Sequence, residues 1–165
     1  MDVLKKVYER LFAITALVFP IMEVIFYFSG KVFLMGSQSS GLKAFYMAYL
    51  LPISTIYQNN STIIFGILVF IFIQASKGRP FLTKFIRFNI VQSCLLSIVC
   101  QCTGGLFYVI PKSLLYGSVG YFAATVIFFS FLGVIMYSAG SIAAGRYPKI
   151  PVITNAAKLH IQRGA

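Results

Sequence analysis

Acidic side chains are nearly missing from this sequence. Only Asp2, Glu9 and Glu23 are acidic among 165 residues, and His160 is the single histidine. General acid–base catalysis needs positioned groups that titrate near neutral pH, so an enzyme has almost nothing to work with. Cys94, Cys100 and Cys102 crowd one apolar stretch, where a thiol acts as a small apolar group, and they offer neither a disulfide framework nor a metal spacing. No phosphate-cradling glycine loop and no nucleophile-plus-base motif is present. The expectation is a chain that is not an enzyme and holds no metal and no cofactor.

What the sequence has in abundance is apolar length. The hydrophobic fraction is 59% and the mean hydropathy +0.87, well above a soluble average. A helix needs about 20 apolar residues to cross the hydrocarbon core, and four such stretches fill the chain. They predict an all-α polytopic membrane protein forming a single integral membrane domain over 1–165, with spans at about 11–29, 60–76, 88–110 and 115–142. Residues 42–57 read as a separate interfacial helix, because Phe45, Tyr46, Tyr49 and Tyr57 are ring types favoured at the membrane–water boundary. A tilted continuation of the second span is the alternative. The polar run Gln58-Asn59-Asn60-Ser61 marks the break between the two pieces.

The formal charge of +11 is placed for topology rather than for nucleic acid, which needs charge gathered on one water-facing surface. Lys5, Lys6, Arg10, Lys77, Arg79, Lys84, Arg87, Arg146, Lys149, Lys158 and Arg163 fall in the N-terminus, the link between spans two and three, and the tail. Only Lys31, Lys43 and Lys112 fall on the opposite side. Basic residues collect in loops on the synthesis side, so both termini are expected there. The first apolar run is longer than a signal-peptide core and has no small-x-small cleavage site, so it reads as a retained span. No transit peptide is visible.

Three features carry candidate roles. Glu23 is the one acid within a span, three residues after Pro20, which removes a backbone hydrogen bond and is expected to kink the first helix; such a group faces the bundle interior or water. In the third span Asn89, Ser93, Ser97, Cys100 and Gly104 share a narrow sector at about 100° per residue, flanked by Gln92 and Gln101. These polar groups must face protein or water, either as interhelical glue or as the lining of a path. Val91, Cys94, Leu95, Ile98, Val99, Cys102 and Leu106, on the other face, suit lipid. In the fourth span Gly140/Ala144 and Ser141/Gly145 are small-xxx-small pairs that permit close helix packing, within the bundle or against a partner.

The segment Phe85-Ile86-Arg87-Phe88-Asn89-Ile90-Val91-Gln92 closely resembles the hallmark FIRFNxxQ of the twenty-kilodalton component family of Tic, the translocon at the inner envelope membrane of chloroplasts. Pro20-Ile21-Met22-Glu23 resembles that family's first-span Pro-x-x-acid segment. Ile150-Pro151-Val152-Ile153-Thr154-Asn155-Ala156-Ala157 is similar to its tail, with Thr154-Asn155 in place of Ser-Asp. The resemblance implies a membrane subunit of the import translocon that helps form the path for preproteins. Its partners would be other translocon subunits in a hetero-oligomeric complex, unfolded preproteins in transit and membrane lipids. It also implies the inner envelope membrane of a plastid, with both termini stromal, or the plasma membrane in a cyanobacterium. The short chain with Met1 and no transit peptide resembles the plastid-encoded algal form. On this reading Arg87 sits at the stromal mouth or meets lipid headgroups. Two other readings stand beside it: a non-conducting structural or assembly subunit, and a small-solute channel.

Overall fold

The computed structural model describes residues 2–35, 40–77, 82–111 and 117–163. Arg79, Lys112 and residues 115–116 of the predicted fourth span lie outside them. Every regular element among the described residues is helical. Four helices are long and apolar enough to cross a membrane: Leu4–Leu34, Ser40–Ser76, Lys84–Phe107 and Ser118–Ala143. The chain is an all-α polytopic membrane protein.

The first rod comprises α1 (Asp2–Thr15), α2 (Val18–Val24) and two π-helical turns, Ile25–Ser29 and Lys31–Met35. Its break falls at Ala16-Leu17. Pro20 has no N–H for the Ala16 carbonyl one turn back, and the Leu17 N–H closes a tighter turn on Ile14 O at 2.9 Å. The second rod runs from α3 (Ser40–Phe45) through a π-helical turn (Tyr46–Leu50) into α4 (Leu51–Ser76). Pro52 sits in the first turn of α4, where its missing N–H is tolerated. At Asn60 the backbone leaves helical space (φ −119°, ψ 15°), while its side-chain amide donates back to Ile56 O at 2.9 Å. The polar run thus bends the rod and divides it into two helical pieces. α5 (Lys84–Val109), α6 (Ser118–Ala143) and a tail helix α7 (Ile153–Arg163) complete the bundle. Thr83 caps α5 by accepting from the Ile86 N–H.

α5 is the hub. It packs against α1 and α2 of the first rod and, on another side, against α4 and α7, whereas α6 packs chiefly along the first rod. One core joins Ala16, Leu68, Ala75, Phe88, Val91, Cys94 and Ala157. A second joins Val24, Phe28, Leu96, Cys100, Phe107, Ala124 and Phe128. This packing corrects one sequence expectation. Val91 and Cys94 do not face lipid; both are fully buried, because α4 and the tail helix cover that side of α5. The face opens only from Ile98 onward, where Ile98, Val99, Cys102 and Leu106 are exposed.

Two arginines hold helix ends. The last carbonyls of a helix have no partner within it and carry the negative end of its dipole. Arg87 donates from Nε to Ala75 O at 2.8 Å and from Nη2 to Ser76 O at 3.2 Å, sealing the end of α4. Arg10 donates to Ala143 O at 3.0 Å, at the end of α6. There Gly145 adopts φ +72°, the left-handed turn in which glycine is easiest.

Gly104 lets the first rod approach α5: a Cβ at that position would lie 2.3 Å from the Tyr27 ring, whereas one at Gly105 meets nothing within 4 Å. We expect Gly104→Val to destabilise the purified protein in detergent by about 1–3 kcal/mol, the usual cost of overpacking. Gly105→Ala, measured by the same denaturation curve, should be nearly silent.

Candidate functional site: a buried polar seam

Burying a carboxyl group in an apolar bundle is costly unless it is hydrogen-bonded. Glu23, projecting from α2, is 1% exposed. The hydroxyl of Tyr57 on α4 and the side-chain amide of Gln101 on α5 both donate to its Oε1, while Oε2 has no hydrogen-bond partner. One acid therefore ties together three rods. Gln101 lies about 20 Å along α5 from Arg87 at about 1.5 Å per residue, within the apolar stretch Lys84–Phe107.

Nearer the basic end, Asn89, Gln92, Ser93 and Ser97 are each at most 3% exposed. Asn89 Nδ2 donates to Phe85 O at 2.8 Å. Gln92 Nε2 reaches Pro148 O at 3.4 Å. The space beside these groups, walled by Leu17, Asn89, Gln92, Ser93, Ser138 and Pro148, is a cavity of about 10 Å³, the size of one water molecule. The stripe faces protein, and Asn89 Oδ1, Gln92 Oε1 and Ser97 Oγ have no hydrogen-bond partner there.

Gln92 also explains the tail. Residues 146–150 run without helix across the basic end of the bundle, and irregular backbone at such a position must find its hydrogen bonds in protein. The Pro148 carbonyl accepts from Gln92 and from Thr154 Oγ1 at 3.2 Å. The Ile150 N–H donates to that same hydroxyl at 2.7 Å, and the Lys149 N–H donates to Tyr137 Oη at 3.4 Å. Tyr147 lies edge-on to Phe85 and Phe88. Val152 takes φ +65° at the turn into α7, a conformation that a β-branched residue rarely adopts.

The structure brings Glu23 to Gln101 and Gln92 to the tail, and assigns Arg87 to the end of α4. Ser141 is half-buried, Gly140 and Ala144 are exposed, and nothing lies within 4 Å of a Cβ added to Gly140. The close packing that these small residues permit is not used at Gly140 by the chain itself, and Gly145 serves the helix end. Sequence reasoning did not find Tyr57, Tyr137 or Thr154 as members of the seam. Tyr57 read as an interface ring, and its spacing of 34 residues from Glu23 carries no periodic signal.

Fold and seam together define a small helical membrane bundle knit by buried hydrogen bonds. A family model described as "Chloroplast import apparatus Tic20-like" matches residues 5–157, and the chain belongs to this family of plastid membrane proteins. Similar proteins include the Tic20 family protein Ycf60 of Gracilaria tenuistipitata var. liui, 33% identical over 119 residues, which are 70% of this chain and 58% of that protein. Those of Porphyra purpurea (29%, again 70% and 58%) and Cyanidioschyzon merolae (22%, covering 94% and 77%) are also similar. The chain thus spans under two-thirds of the length of the first two.

We expect Tyr57→Phe and Gln101→Leu each to cost between about 0.6 and 1.7 kcal/mol, the average and the maximum found for hydrogen bonds between membrane helices. Because both donate to one oxygen, their effects should be non-additive in a double-mutant cycle followed by unfolding in mixed micelles.

Proposed function

We propose that this chain is a subunit of the protein-import translocon in the inner envelope membrane of a plastid, with both termini in the stroma, and that it helps form the path for unfolded preproteins. The family match across residues 5–157 carries this reading, and the four spans support it. The basic residues flanking spans two, three and four support the orientation. The role is not enzymatic; it is to shape a membrane path together with other subunits.

Within that role the work divides between inside and outside. Asn89, Gln92, Ser93 and Ser97 are buried inside the bundle, where Gln92 bonds the tail at Pro148. The amides offered to a passing chain are Gln58, Asn59 and Asn60, which are exposed at the kink of the second rod. Uncharged amides bond many backbones weakly, which suits transit better than tight binding. The burial of the α5 stripe favours a second reading, a non-conducting scaffold whose polar groups serve assembly alone.

Photocrosslinkers at Gln58, Gln92 and Ile98, challenged with a precursor arrested in transit across the inner envelope, separate the two. We expect precursor adducts from Gln58 and none from Gln92 or Ile98. Adducts to neighbouring subunits alone, from Gln58 as from Ile98, would establish the scaffold.

A further inference from the structure

A cavity of about 670 Å³ opens between the start of α5 and the tail helix. Lys84, Arg87, Lys149 and Lys158 contribute four cations to its wall, and Phe88 and Ile161 contribute apolar surface. Neither Glu9 nor Glu23 is among the described residues that line it. Like charges gathered around one cavity repel one another, and an anion seated among them relieves that repulsion. The three lysines are exposed, while Arg87 is buried and fixed by its two bonds to the end of α4. The positive end of the α5 dipole adds to the field.

We infer that this cavity is a binding site for the headgroup of an anionic lipid in the leaflet on the basic side of the membrane. Basic pockets between membrane helices on that side take such headgroups. Two features favour a lipid over a soluble anion. The site lies at the basic end of the spans, where headgroups stand. Its apolar wall would be idle against inorganic phosphate but covers the first methylenes of an acyl chain. The bound lipid would bridge α5 to the tail helix and so fasten residues 146–163 to the bundle.

Native mass spectrometry of the full chain released from detergent tests this, using phosphatidylglycerol, phosphatidylcholine and sodium phosphate as probes. The wild type should retain phosphatidylglycerol in preference to phosphatidylcholine and should ignore phosphate. With each neutralised lysine removing about a fivefold factor, Lys84→Gln/Lys149→Gln/Lys158→Gln should lower retention about a hundredfold. Lys158→Gln alone, on the exposed face of α7, should lower it about fivefold even if the triple variant folds poorly. Lys43→Gln, on the opposite side, should leave it unchanged. Equal retention of both lipids, displacement of phosphatidylglycerol by millimolar phosphate, or an undiminished signal in both lysine variants would each overturn the inference.

Discussion

Hydrocarbon offers no hydrogen bonds, and most of this chain's architecture follows from that one constraint. Polar groups carried into the bilayer depend on partners that the chain itself supplies. Glu23 is met by Tyr57 and Gln101, and the carbonyls at the end of α4 are met by Arg87. The unwound stretch after α6 is met by Gln92, Thr154 and Tyr137. None of these contacts is strong by itself. Together they make one register of the rods better than its neighbours, which apolar surfaces sliding against one another do not.

The basic residues have two duties that coincide in space. They set which side the loops occupy, and that side also receives the C-terminal ends of the second and fourth spans. Helix ends of this kind attract cations, so Arg10 and Arg87 answer topology and capping with one charge each. Arginine suits the task better than lysine, because its planar fork reaches two successive carbonyls at fixed geometry, as Arg87 does with Ala75 and Ser76.

The spans were legible in the sequence because a membrane demands local apolarity, which needs no knowledge of neighbours. Glu23 stood out for the same reason, as the lone acid in an apolar run. Its partners were not legible: Gln101 lies 78 residues away, and the register of a kinked rod decides whether Tyr57 reaches it. Val91 and Cys94 show the limit on the apolar side. An angular sector separates polar from apolar faces, but lipid and a neighbouring helix ask for the same side chains. The tail helix escaped because its pattern is short, and its placement depends on long-range packing of Ala157 and Ile161 against α4 and α5. The Thr154 hydroxyl bonds the backbone on both sides of Lys149, accepting from the Ile150 N–H and donating to the Pro148 carbonyl.

The bond between Gln92 and Pro148 joins residues 56 positions apart in the chain, and this sets an order of events during synthesis. At roughly 5–20 residues per second, about 3–11 s separate the appearance of the amide from that of its acceptor. During that interval the third span has no tail to seat against, and its amide is open to other company. The bundle is therefore closed by a later-made segment, in the manner of a clasp. The third span passes through this window before the chain shuts its own seam.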